Sequence, residues 1–386
     1  MKLKNETEQA VVTADKGRGR RRFLKGAAGV TAGAAAAVAM PNVSRAETVT
    51  LKMQGAWGQA DVFNDMAMEY VERVEKMAGG RLKIEYLVAG AVVGAFQVQD
   101  AVHKGVLDAG HQVTVYWYGK NKAASLFGTG PVFGANAAQM LAWIHQGGGK
   151  DLYRELIQDI LKLNLVGFFA MPMPAQPLGW FKNPVNNADD MKGLKYRTVG
   201  LAADLMQAMG MAVTQLPGGE IVPAMERGVI DAFEYNNPTS DRRFGAQDVA
   251  KNYMLSSYHQ ATEYFEIIFN KDRFESLPAE HQAILEYGAE AANTANYALA
   301  MDSYSKDLQG LINEDGVNVR RTPDTVLRAQ LDAWDKILPG LLEDEFFARV
   351  VDSQKEWVKR VGYYEIANAV DTKMAYDHTF PGVLNL

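Results

Sequence analysis

Two stretches of this chain are built alike, and each reads as a joint between a helix and a strand. Ala101-Val-His-Lys-Gly105-Val-Leu-Asp108-Ala109 matches Ala224-Met-Glu-Arg-Gly228-Val-Ile-Asp231-Ala232. In both, a helix ends on a glycine, which takes the left-handed backbone that stops a helix, and an apolar strand follows. Joints of this kind recur in many α/β proteins. The match therefore fits either common turn chemistry or two lobes of similar build. With two lobes, His111 and Glu234 hold equivalent places at strand C-termini, where open α/β sheets bind ligands.

The flanking pattern agrees with alternating elements. Val49, Leu51 and Met53 alternate as a strand, and Asp61 to Met77 carries an apolar stripe at helical spacing that Gly79-Gly80 stop. Leu82, Ile84 and Tyr86 alternate again; a helix over 97–104 ends at Gly105, and Val106 begins a strand. This alternation predicts βα units and mainly parallel sheet. Pro278 opens an Ala-rich helix over about 279–313. Apolar stripes then recur from Val326 to Leu338 and from Phe346 to Val361, as core-facing or interface faces. The second stripe is wide enough to suggest a homodimer; the alternative is a helix packed on its own lobe. No low-complexity linker interrupts the chain, so two lobes must be joined by structured crossings that serve as a hinge.

The N-terminus sets the compartment. Lys16 to Lys25 is strongly basic, Gly26 to Met40 is small and uncharged, and Ser44-Arg45-Ala46 supplies small residues around a cleavage point. That order is a secretory signal peptide, with Arg20-Arg21 resembling the twin-arginine variant. The apolar run is too short to span a bilayer as an anchor. The mature chain is expected to start near Glu47. Residues 1–46 hold nine basic and three acidic residues, so their removal takes the net charge from −6 to −12. Such a surface repels nucleic acid and anionic lipid. With no cysteine, thiolate metal sites and thiol nucleophiles are excluded.

Enzyme signatures such as G-x-S-x-G, H-E-x-x-H and the Walker A loop are missing. The six histidines are scattered. What stands out is polar side chains inside apolar runs: Gln176 before Pro177-Leu178-Gly179-Trp180-Phe181, Arg197 after Leu194-Lys-Tyr, Glu234 after Val229 to Phe233, and Glu263 before Tyr264-Phe265. A charge buried alone costs several kcal/mol. These groups either pair with one another, lie at exposed strand ends, or form a site. As a site they make chemical sense. An arginine fork fits a carboxylate, and two glutamates with a glutamine carbonyl are hard oxygen ligands for a hard cation.

The same residues carry a family resemblance. The mature chain resembles the substrate-binding subunit of tripartite ATP-independent periplasmic (TRAP) transporters, in the branch that binds 2-oxo monocarboxylates. The resemblance is densest in Gly193-Leu-Lys-Tyr-Arg197, Leu216-Pro-Gly-Gly-Glu220, Ala224 to Glu234, Gln176-x-x-Gly-Trp-Phe181, Tyr116-Trp-Tyr-Gly-Lys120 and Phe133-Gly-x-Asn136-Ala. It implies a two-lobed α/β periplasmic binding protein with a hinge-linked cleft and long C-terminal helices. Lobe one is expected over 47–174 and about 262–300, lobe two over 175–261 and about 301–340, and a C-terminal helical segment over 341–386. It implies that Arg197 clamps a small carboxylate. Gln176, Glu234, Glu263 and the backbone carbonyl of Tyr235 would hold a bridging metal ion, sodium or calcium, and Tyr116 and Tyr118 would line the lobe-one wall. TRAP membrane permease subunits would be the partners. The family usually carries Trp-Val-Gly-Pro where this chain has Tyr235-Asn236-Asn237-Pro238, and a Trp-Trp pair where it has Ala261-Thr262. Smaller or more polar walls would suit a larger or hydroxylated acid. The competing readings are a periplasmic metal-dependent hydrolase or lyase using Glu234 and Glu263, and a scaffolding protein without a pocket. If Arg197 serves only the ligand, its replacement should leave ligand-free stability near normal.

Overall fold

The computed structural model describes residues 48–130 and 132–384. The export segment, with Arg20, Arg21 and the cleavage point, lies outside the described residues. The rest forms two α/β lobes, each around its own sheet. The first sheet has five strands in the order β2-β1-β3-β10-β4: β1 Val49–Gly55, β2 Leu82–Leu87, β3 Ala109–Gln112, β4 Leu165–Met173 and β10 Glu263–Asn270. The second has six in the order β11-β9-β5-β8-β6-β7: β5 Gly179–Phe181, β6 Lys195–Arg197, β7 Ala212–Thr214, β8 Ala232–Phe233, β9 Asn252–Leu255 and β11 Asn318–Arg321.

Both sheets are mainly parallel, as expected of βα units, with one strand reversed in each. β10 runs antiparallel to β3 and β4, and β5 runs antiparallel to β8 and β9. The reason is topological. β5 and β10 are the first strands laid down after the chain crosses between lobes, at 174–178 and at 256–262. A strand arriving from the other lobe needs no crossover helix and can insert against the local direction. Every residue of β10 is buried, so the sequence there is an apolar run broken only by Glu263, Glu266 and Asn270. The two crossings touch: the Gln176 N–H donates to the Gln260 carbonyl at 3.1 Å.

The repeated joints are structurally alike. The helices Val98–His103 and Ile221–Glu226 end just before Gly105 and Gly228, whose φ values are 71° and 69°. β3 and β8 follow, although the strand begins at Ala109 rather than Val106. The helix Ala279–Asn313 is about 52 Å long at 1.5 Å per residue. It reaches both lobes: the Leu285 carbonyl accepts from Tyr70 and Asn293 Oδ1 from the Met171 N–H, while Asp307 meets Arg242. The stripe from Phe346 to Val361 is not a free dimer face. Phe346, Phe347, Val350, Val351 and Val358 are buried against the chain's own lobe, where Gln354 donates to the Leu126 carbonyl at 2.6 Å and Trp357 to that of Gln139 at 3.0 Å. Its apolar surface is used up internally. The exposed apolar residues come later, among them Tyr363, Tyr364, Ile366, Val370 and Met374. Among the described residues, no helix is long and apolar enough to cross a membrane.

Candidate functional site

A small, largely enclosed cavity lies between the lobes, against the crossings. Its apolar wall is Trp57, Phe63, Val113, Val115 and Val199. Its polar side brings together Tyr116, Gln176, Arg197, Tyr235, Asn236 and Glu263, with Gln260 from the second crossing.

Arg197 ends β6, a central strand, and is only 1 % exposed. Its Nε donates to the Leu216 carbonyl at 2.8 Å. Its Nη1 donates to the Glu234 carbonyl at 2.8 Å and to Glu234 Oε1 at 3.0 Å. The guanidinium is therefore half satisfied by its own lobe. Nη2 is buried and has no partner among the described residues. A guanidinium has five donors in a fixed fork, and the remaining N–H groups belong to a side chain that lines the cavity. Leu216-Pro-Gly-Gly-Glu220 now has a physical reason. Leu216 supplies the carbonyl, and a Cβ at Gly218 would stand 2.5 Å from the Tyr235 ring. Gly179 is as constrained, with φ at 119° and an imagined Cβ 2.1 Å from the Phe233 carbonyl oxygen. Only glycine lets β5 approach the chain where Glu234 leaves β8.

Glu234 is buried behind the cavity and is not among the side chains lining it. Burial outweighs the attraction of Arg197 and pushes its carboxyl up to about 7. Its Oε2 has no partner among the described residues. Glu263 is also buried, and loss of hydration pushes its carboxyl well above the usual range, opposed by the Gln176 donor. Gln176 Nε2 donates to Glu263 Oε2 at 2.6 Å, and Asn236 Nδ2 donates to the same oxygen. Gln176 Oε1 is left buried without a partner among the described residues. Glu266, three residues on, marks the contrast. It is buried too, but Gln112, Trp117 and Tyr153 all donate to it, so it is a satisfied core carboxylate. Among the described residues, no three His, Cys, Asp or Glu side chains gather as a metal cluster. The unpartnered oxygens of Gln176 and Glu234, with Glu263 beside them, nevertheless have the chemistry of a hard-cation site completed by a glutamine.

The lobes are bonded across the cleft. Asp61 caps the helix Val62–Met77 from lobe one and accepts from the hydroxyls of Tyr235 and of Ser240, the latter at 2.7 Å. Arg243 donates to Asp65 at 2.8 Å. Tyr118 belongs to this rim rather than to the cavity wall. Its hydroxyl donates to Asp204 at 2.7 Å, beside Lys122 at 2.8 Å, because it sits past the helical turn that aims Tyr116 inward. Tyr116 does line the cavity. His111 lies behind Trp57. Trp57 Nε1 donates to its Nδ1 at 2.6 Å, which leaves the proton on Nε2, 3.1 Å from the Met171 sulfur. Burial lowers its pKa to about 3, so the ring is a neutral support for the indole.

Sequence reasoning missed Trp57, Asp61 and Gln260. Trp57 had a usable signal, since it lies four residues past Met53, near the C-terminal end of a predicted strand. Asp61 reads as an ordinary helix cap, and nothing local marks Gln260.

The family model for bacterial extracellular solute-binding protein, family 7, matches residues 54–343. A monocarboxylate 2-oxoacid-binding periplasmic protein of Nostoc sp. is 34 % identical over 290 residues, 75 % of this chain and 79 % of its own. A TRAP transporter solute-binding protein of Bordetella bronchiseptica, a mixed-occupancy dimer with copurified calcium and picolinate, superposes with a TM-score of 0.80. It is 27 % identical and is matched over 86 % of this chain and 98 % of its own. A TRAP periplasmic solute-binding protein of Pseudoalteromonas atlantica with bound sodium and pyruvate gives a TM-score of 0.78 at 28 % identity, over 86 % of this chain and all of its own. The chain belongs to family 7 of the bacterial extracellular solute-binding proteins, the DctP family.

Proposed function

We propose that this protein captures a small 2-oxo or 2-hydroxy monocarboxylate in the periplasm and delivers it, chemically unchanged, to the membrane subunits of a TRAP transporter. Residues 1–46 would direct its export. Arg197 would clamp the carboxylate, with Tyr116 and Trp57 walling the small tail. Gln176 Oε1, Glu234, Glu263 and the Tyr235 carbonyl would hold a sodium or calcium ion that bridges to the ligand. The observation that carries this reading is the buried Arg197 Nη2, without a partner among the described residues, in an otherwise acidic protein. The 2-oxo acid branch is favoured by the Nostoc relative and the pyruvate-bound neighbour. Charge supports a cation: Glu234, Glu263 and a ligand carboxylate face one arginine, and the excess negative charge is costly in a buried site. A hydrolase would use the same two glutamates, but one is tied to Arg197 and the other to two amides. A homodimer would use the exposed apolar residues beyond Val361. Mass spectrometry of ligand copurified with native protein, with elemental analysis, tests the proposal. A small monocarboxylate with near-stoichiometric sodium or calcium is expected; a sugar, an amino acid or a turned-over product would overturn it.

A further inference from the structure

Glu263 Oε2 is engaged by two amide donors, and one of them is oriented from outside the cavity. Asn237 caps the helix Pro238–Arg243, its Oδ1 accepting from the Ser240 backbone N–H at 2.8 Å. A backbone N–H only donates, so the two ends of the Asn237 amide are told apart. Its Nδ2 then donates to Asn236 Oδ1 at 2.8 Å and to Ser240 Oγ at 3.2 Å. That fixes the Asn236 amide in turn, leaving its Nδ2 to donate to Glu263 Oε2. Gln176 Nε2 donates to the same oxygen, which turns its own Oε1 away, buried and unpartnered among the described residues. A relay that starts at a helix cap thus decides which carboxylate oxygen remains free.

We propose that the Asn236–Asn237 pair makes Glu263 a one-oxygen ligand and so lowers the calcium affinity of the site. Calcium takes six to eight oxygens and often grips a carboxylate through both of its own. Glu263 Oε2 offers its lone pairs to an ion only by giving up N–H donors that already occupy them. The donors also spread the negative charge of Glu263, which lessens the need for a divalent ion. Asn236 and Asn237 are positioning residues here, acting on the cation through Glu263. This inference rests on the proposed cation site.

The test uses full-length mature protein, freed of ligand and chelated, and titrated calorimetrically with calcium and separately with sodium. Asn236→Val should bind calcium on the order of tenfold more tightly than wild type, about one RT ln 10 step. Sodium affinity should change much less. Asn237→Thr keeps a capping oxygen but loses the amide arm. It should shift calcium binding in the same direction and carries the test if the valine variant does not fold. A calcium-induced rise in melting temperature, read without ligand, should grow in parallel. Calcium binding in wild type with equal or weaker affinity in folded variants overturns this inference alone. If wild type binds neither ion, the cation site fails and this inference fails with it.

Discussion

Replacing Arg197 with methionine removes three hydrogen bonds and a buried positive charge. The bonds run to the carbonyls of Leu216 and Glu234 and to the Glu234 carboxylate, so two effects must be separated. The first is structural, and it corrects the expectation that ligand-free stability would stay normal. Breaking a buried ion pair from one side costs about 3–5 kcal/mol. Glu234, already pushed up to about 7, limits the loss by taking a proton. With roughly 2 °C per kcal/mol for a chain of this size, the ligand-free melting temperature should fall by about 5–10 °C. The second effect is on binding. Losing the partner of a buried ligand carboxylate costs about 2–5 kcal/mol, roughly 30-fold to several thousandfold in affinity. The ligand-induced rise in melting temperature should therefore vanish, because only binding to the folded state produces it. Arg197→Lys keeps the charge beside Glu234 and loses the fork, so it should recover part of the stability and little of the shift. The assay is a thermal-shift series with pyruvate and other small 2-oxo and 2-hydroxy acids. A methionine variant that melts early but keeps the full ligand shift would leave Arg197 a purely structural partner of Glu234 and refute the clamp.

Three further outcomes are expected. Tyr235→Phe keeps the cavity wall but loses the bond to Asp61 across the lobes; a hydrogen bond to a charged partner is worth about 1.5–3 kcal/mol. Calorimetric ligand affinity should drop roughly 10- to 100-fold; unchanged affinity would show that the bond does not hold the lobes closed. Asp241 accepts from Trp180, yet burial pushes its carboxyl up to about 7 from an ordinary 3.8. A carboxyl raised in the folded state holds its proton while the unfolded chain has already lost it, so stability falls as pH climbs from about 4 to about 7. Asp241→Asn should flatten that part of the melting-temperature profile, and an unaltered slope would assign it to other groups. Light scattering at micromolar concentration should give a dimer mass, and Ile366→Glu with Val370→Glu should reduce it to a monomer; a monomeric wild type ends the dimer proposal.

The sequence made the lobes legible through their joints and the site through its misplaced polar residues. Gly105 and Gly228 do sit at matching left-handed turns, and His111 and Glu234 do follow them at matching strand ends. The two have unlike duties, though: one props Trp57, the other pairs with Arg197. Gln176, Arg197 and Glu263 stood out because a charge or amide inside an apolar run needs a partner. Which partner each takes was not legible, since Glu234 is 37 residues from Arg197 and Glu263 is 87 from Gln176. The reversed strands β5 and β10 escaped for a related reason. Strand direction depends on which lobe the chain arrives from, and local periodicity is silent on that. Resemblance put Tyr118 on the lobe-one side of the cleft; that its hydroxyl meets Asp204 at the rim, rather than the cavity, was not legible. The stripe from Phe346 to Val361 is apolar as its spacing predicts, but choosing between a dimer face and packing on its own lobe needed the structure, because periodicity does not tell what covers a face.

The most direct measurement is a calorimetric titration of ligand-free, chelated protein with pyruvate, repeated with sodium and with calcium restored. Saturable one-site binding is expected with a cation present. Removing both ions should weaken it by at least about thirtyfold, the lower end of what an unpaired buried charge costs. Equal affinity in metal-free, sodium-free buffer, or no binding by any small 2-oxo or 2-hydroxy monocarboxylate, would contradict the account.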